Sequence, residues 1–311
     1  MGTPEFAVAS LHAVARTCEL VAVVTRPDRP KGRGRQVTES AVAQAARSLG
    51  ARVIKPERMT DPEVREELAA FQADLFAVVA FGAILAPEIL QAPRLGCVNL
   101  HGSLLPHYRG ASPVQRALWD GCSSTGVTTL WMDEGIDTGD CMLQRWVGIE
   151  LSDNAGTLSA RLADLGAPLL AKSLQLAHAG LAPRQPQERA AGSYAKKLEK
   201  RDGMVDWGTD AVRVWNRQRA VTPWPGATTG FRGRRLLVMQ SSPSHMLPVS
   251  QTPGAILAVA AEGITVACRP GALLVTRVKP DGKPELSAAE WARGARIEPG
   301  ESLHIEEEAH A

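Results

Sequence analysis

Residues 97–101 read Cys-Val-Asn-Leu-His, and Gly102-Ser103-Leu104-Leu105-Pro106 follows at once. The apolar run predicts a strand, and the glycine and proline after it predict a tight loop. Side chains two apart on a strand share a face, so Asn99 and His101 should meet at its C-terminal edge. A carboxamide donates a hydrogen bond at any pH. An imidazole, with an ordinary pKa of about 6.5, donates or moves a proton near neutrality. Together they suit a developing oxyanion and its proton traffic. Some thirty residues on comes Asp133-Glu134-Gly135-Ile136-Asp137-Thr138-Gly139-Asp140, an acidic turn. Its carboxylates can accept protons or gather a hard cation. The Asp-x-Asp-x-Asp-Gly pattern of a calcium loop is absent, so no metal is expected. The residues alone leave a second reading open, in which His101 is a satisfied polar residue at a buried strand end.

Such groups need a scaffold. At 311 residues the chain exceeds the usual size of one domain, so two are expected. The first half alternates strand and helix. Helices are predicted over 6–16, 40–49, from Asp61 with Pro62 at its first position, and from Pro113 to Trp119. Apolar strands are predicted over 19–25, 52–55, 74–81 and 96–101. Residues 126–132 and 141–149 read as a hairpin around the acidic turn. Ser152 or Asp153 is placed as the cap of a long helix ending by Gly180, broken or bent near Gly166-Ala167-Pro168. This is the pattern of an α/β, doubly wound, mostly parallel sheet, whose ligands bind at the carboxyl ends of the strands. No Gly-x-Gly-x-x-Gly follows a strand and no P-loop occurs, so a nicotinamide cofactor is excluded. Residues 181–203 read as a linker. Beyond it, a helix over 210–219 precedes short strands at 235–239, 255–259, 264–268 and 273–279 and a short helix at 287–293. Gly and Pro turns separate the strands, which predicts a small β-barrel. The tail from Glu301 is expected to fray. The seven Trp are read chiefly as packing residues.

Asn99-Leu100-His101-Gly102-Ser103-Leu104-Leu105-Pro106, with Asp133 to Asp140 after it, resembles the folate-dependent formyltransferases. The likeness covers nearly the whole chain. It implies a Rossmann-like catalytic domain over 1–180, a linker over 181–203 and an OB-like domain over 204–311. It implies direct transfer of a formyl group from 10-formyltetrahydrofolate to an amine, without a covalent enzyme intermediate and without a metal. Asn99, His101 and Asp137 fall on the catalytic positions, and Asp137 takes the place of the reactive carboxylate. Ser103, Leu104, Leu105 and Pro106 fall on the folate loop, and the turn from Phe81 to Leu85 on the wall of the pterin site. In the family, Gly2-Thr3-Pro4 follows an apolar strand central to the sheet. Here only Met1 precedes it, so either the start is misplaced or that strand is lacking.

Charge points to the acceptor. Residues 1–181 carry 17 basic and 19 acidic side chains, residues 182–297 carry 18 and 9, and the tail adds five Glu. A basic second half suits a polyanionic partner. Residues 26–35 hold five positive charges, two Pro and two Gly, which predicts an exposed loop. The resemblance makes it a tRNA-contacting loop through Lys31, Arg33 and Arg35, and makes the acceptor the methionine of initiator tRNA. A small-amine acceptor is the alternative, but it needs neither basic feature. A vestigial RNA-binding protein is the other, opposed by Asn99, His101 and Asp137 standing together. Five scattered Cys without a Cys-x-x-Cys pair fit reduced cytoplasmic thiols. No membrane span is expected, and the protein is expected to act as a monomer.

Overall fold

A computed structural model describes residues 1–31, 36–188, 190–245 and 252–304. Arg33 and Arg35 lie outside the described residues. The chain divides into two compact units. The first comprises Met1–Pro113, Ser124–Gly148 and Ser159–Ala195; the second comprises Val114–Ser123, Ile149–Leu158 and Lys196–Ala311. The stretch read as a linker is therefore packed: as far as Ala195 it lies along the first unit, and from Lys196 it joins the second.

In chain order the first half runs α1 (Val8–Thr17), β1 (Val23–Val24), β2 (Arg29–Lys31), β3 (Gln36–Thr38), α2 (Ala41–Ser48), β4 (Val53–Ile54), α3 (Pro62–Ala70), β5 (Phe76–Val79), α4 (Pro87–Leu90), β6 (Cys97–His101), α5 (Pro113–Trp119), β7 (Ser124–Trp131), β8 (Cys141–Gly148) and α6 (Ala155–His178). Strands β5 and β6 pair in parallel, and β6, β7 and β8 continue antiparallel. Strands β1 and β4 form a separate parallel pair. Between β1 and β5 run only Met1 and Gly2. The Met1 ammonium donates to Ala77 O (2.6 Å), Val79 N–H donates to Met1 O (2.9 Å), and Gly2 N–H donates to Val24 O (3.0 Å). Beside them lies an apolar cavity of about 50 Å³ lined by Met1, Leu11, Val23, Ala77 and Leu170. The Ser10 hydroxyl, also in its wall, has no hydrogen-bond partner.

Local chemistry explains most elements. Ser40 Oγ caps α2 by accepting from Ala43 N–H (3.0 Å). Asp61 sits at the cap position of α3 but makes no capping bond; Pro62 alone starts that helix. The cap of α6 is Asn154, which accepts from Gly156 and Thr157, rather than Ser152 or Asp153. Helix α6 is also unbroken through Pro168. The missing donor costs one bond, while Leu162, Leu170 and Leu174 bury one face of the helix and hold it together. Gly166 is needed there: a Cβ would lie 2.6 Å from Leu100 of β6. The basic loop contains a small ribbon, since β2 pairs with β3. Pro30 is tolerated because a two-stranded ribbon is all edge.

The second unit holds α7 (Ala211–Ala220), β9 (Ala227–Phe231), β10 (Arg234–Ser244), β11 (Ile256–Ala260), β12 (Gly263–Ala267), β13 (Ala272–Pro280), β14 (Leu286–Ser287) and α8 (Ala288–Ala295). The antiparallel order is β11-β12-β13-β10-β9, with β14 on β13. Residues 301–304 do not fray. Leu303 is fully buried, its N–H donates to Gly254 O, and His304 N–H donates to Gly230 O. The last described residues thus bond both beside β11 and on β9, closing the sheet toward a barrel. Ile264, Val266, Leu273, Val275 and Val278 fill its interior. Trp207 and Trp291 pack there as expected, but Trp224, and Trp146 of the first unit, are exposed.

Candidate active site

Strand β6 brings Asn99 and His101 to one face at its carboxyl end, opposite Leu130 and Thr128 of β7. The turn between β7 and β8 supplies the carboxylate. Asp133 Oδ1 accepts from Gly135 N–H (3.0 Å) and from the Thr138 hydroxyl (2.7 Å), folding the turn on itself. Gly139 has no room for a side chain, since a Cβ would lie 1.8 Å from Trp131 O. Asp137 is thereby held at φ 54, in the left-handed region.

The three polar residues meet. Asn99 Nδ2 donates to Asp137 Oδ1 at 3.2 Å. Asp137 Oδ2 accepts from Gly110 N–H at 2.8 Å and lies 3.4 Å from His101 Nδ1. His101 Nε2 donates to Tyr108 O at 2.8 Å. Both ring nitrogens thus meet oxygens that only accept. His101 is 6% exposed and the Asp137 side chain 15%, so these contacts are screened little by solvent. Tyr108, like Asp137, has a positive φ, 58. Strained backbone therefore flanks the histidine on both sides.

The other carboxylates are otherwise engaged. Asp133 folds its own turn, Asp140 lies 4.0 Å from Arg184, and Glu134 is exposed. Among the described residues no three His, Cys, Asp or Glu side chains converge on a metal-sized site. Cys97 shares the strand face of Asn99 and His101, but burial pushes its thiol up to about 12, so it offers no nucleophile.

Of the expected folate loop, Ser103 and Leu105 are buried, while Leu104 and Pro106 are half-buried. Ser103 Oγ donates to His107 O, and Thr128 Oγ1 ties Ser103 O to Leu105 N–H. An open recess lies alongside the acidic turn, walled by Leu90, Met132, Asp133, Gly135 and Thr138. Of the Phe81–Leu85 turn, Phe81 and Leu85 belong to the core and Ile84 is exposed. Lys31 ends β2. Sequence reasoning missed the groups that hold the carboxylate. Gly110 gives only a backbone N–H, which no side-chain pattern signals. Arg109 is bidentate on Gln187 Oε1 at 3.0 and 2.9 Å.

Residues 2–174 match the formyl transferase family and residues 197–296 match the formyl transferase C-terminal domain. The chain is therefore a formyltransferase, an enzyme whose two parts both match that family. It is 45% identical over 299 residues to methionyl-tRNA formyltransferase of Anaeromyxobacter dehalogenans, covering 95% of this chain and 96% of that one. It is 43% identical over 304 residues to the enzyme of the same name from Moorella thermoacetica, covering 97% of each. The chain belongs to the methionyl-tRNA formyltransferases. The fold is shared with HypX from Aquifex aeolicus in complex with tetrahydrofolic acid (TM-score 0.61, 18% identity, 93% of this chain and 51% of that one). It is shared also with WlaRD, a sugar 3N-formyl transferase (TM-score 0.61, 16% identity, 91% and 97%).

Proposed function

We propose that Asn99, His101 and Asp137 carry a formyl group from 10-formyltetrahydrofolate to the amino group of methionine on initiator tRNA. The observation that carries this reading is the convergence of Asn99 and His101 on the Asp137 carboxylate at the end of β6. The amine attacks the formyl carbon, a C–N bond forms, and the carbonyl electron pair moves to oxygen. Asn99 has a second amide hydrogen beyond the one given to Asp137, and it donates to that oxyanion. Asp137 takes the proton of the attacking nitrogen through water and holds His101 as its cation. His101 adds its charge to the oxyanion and gives a proton to the folate nitrogen as that bond breaks, and the proton taken up by Asp137 passes across their contact to restore His101. Tetrahydrofolate leaves, and the enzyme ends as it began.

The open recess along the acidic turn is our seat for the flat pterin ring: Leu90 and Met132 offer it apolar surface, and Asp133, Gly135 and Thr138 line its other side. Leu104 and Pro106 complete the folate contact, while Ser103 and Leu105 hold their loop in shape. Lys31, Arg33 and Arg35 hold the phosphates of the tRNA, and the basic domain after Lys196 adds to them. A tRNA substrate places the reaction in the cytoplasm, and no helix among the described residues is long and apolar enough to cross a membrane. The test is formyl transfer to methionyl initiator tRNA by the unmutated chain, His101→Ala and Asp137→Asn. The reading expects transfer by the first and loss of on the order of a hundredfold or more in each variant, with unchanged circular dichroism. Variants as active as the parent would overturn the site, and transfer to small amines alone would overturn the acceptor.

A further inference from the structure

Asp137 depends on more than its own turn. The Gln187 carboxamide donates to two backbone carbonyls of that turn, Asp137 O at 2.8 Å and Gly139 O at 2.7 Å. Its oxygen accepts both bonds of the Arg109 fork. Arg109 lies between Tyr108, whose carbonyl takes the His101 Nε2 bond, and Gly110, whose N–H holds Asp137 Oδ2. One side chain therefore ties the loop that fixes the carboxylate's backbone to the loop that fixes its head and the histidine. Neighbouring residues lay the segment down. Gln185 and Cys141 exchange both backbone bonds, Arg109 N–H donates to Ser193 O, and Tyr108 N–H donates to Ser193 Oγ.

We infer that Gln187 is a positioning residue for the transfer, holding Asp137 in its left-handed conformation so that the carboxylate reaches Asn99 and His101 together. Without it, two carbonyls lose their donors and Asp137 relaxes toward ordinary backbone. A carboxylate displaced by about an ångström costs on the order of a hundredfold in rate. The inference rests on the assignment of Asp137 above.

The experiment compares Gln187→Glu and Gln187→Ala with the parent and Asp137→Asn. Glu keeps the length and the Arg109 pair but turns two donors into acceptors facing carbonyls. The expected result is a kcat lowered about 10- to 100-fold in both Gln187 variants, with KM for methionyl-tRNA within about twofold and the melting temperature nearly unchanged. Arg109→Ala combined with Gln187→Ala should lose no more than the worse single change, because the two act as one unit. Substrate-free ¹⁵N spectra supply a second readout: the His101 ring resonances should shift in Gln187→Glu. Unchanged kcat and unmoved ring signals, or a loss confined to KM, would overturn the inference even with an active parent and an inactive Asp137→Asn. An inactive parent would count against the assignment of function, and the ring signals would still decide on Gln187.

Discussion

At the scale of single residues, the proposed roles separate side chains that do chemistry from equally reactive types that cannot. Cys97 and Asn99 share one face of β6, yet only Asn99 offers a group that works at neutral pH. Burial lifts the Cys97 thiol to about 12, and its sulfur lies 3.6 Å from Leu90 O. Cys97→Ala should therefore keep kcat within about twofold, whereas a nucleophile would lose it all. In the role proposed for Asn99, Asn99→Ala takes away an oxyanion donor and should lower kcat by on the order of a hundred- to a thousandfold, with little change in KM for either substrate. Steady-state kinetics on the pair checks both statements. An Asn99→Ala enzyme impaired mainly in KM would move Asn99 from catalysis to binding.

At the scale of elements, the sheet shows what was legible and what was not. Strand β6 and the acidic turn were readable because apolar alternation and turn residues are local signals. Strand β9 was not: Ala-Thr-Thr-Gly-Phe lacks an apolar run, and its pairing with β10 rests on a two-residue turn at Arg232-Gly233, both at positive φ. Gln187 was unreadable too, since the carbonyls it holds lie 50 and 48 residues away.

At the scale of the whole molecule, charge is what suits this enzyme to a nucleic acid. Residues 182–297 hold twice as many basic as acidic side chains, and Lys196, Lys197, Lys200 and Arg201 stand exposed around the buried Leu198. Such a surface binds by releasing counterions, so its affinity falls with salt in proportion to the phosphates neutralised. KM for methionyl-tRNA should rise steeply between about 50 and 200 mM salt, while kcat, set by buried groups around Asp137, should hardly move. Arg33→Ala and Arg35→Ala should each flatten the logarithmic slope by roughly one if each meets a phosphate. They should weaken different tRNA sequences alike, because a phosphate contact reads no base. A slope unaffected by either change would take the 26–35 loop out of the interface and leave binding to the domain that follows Lys196. A KM indifferent to salt would argue for a small amine acceptor, for which the excess of positive charge has no use.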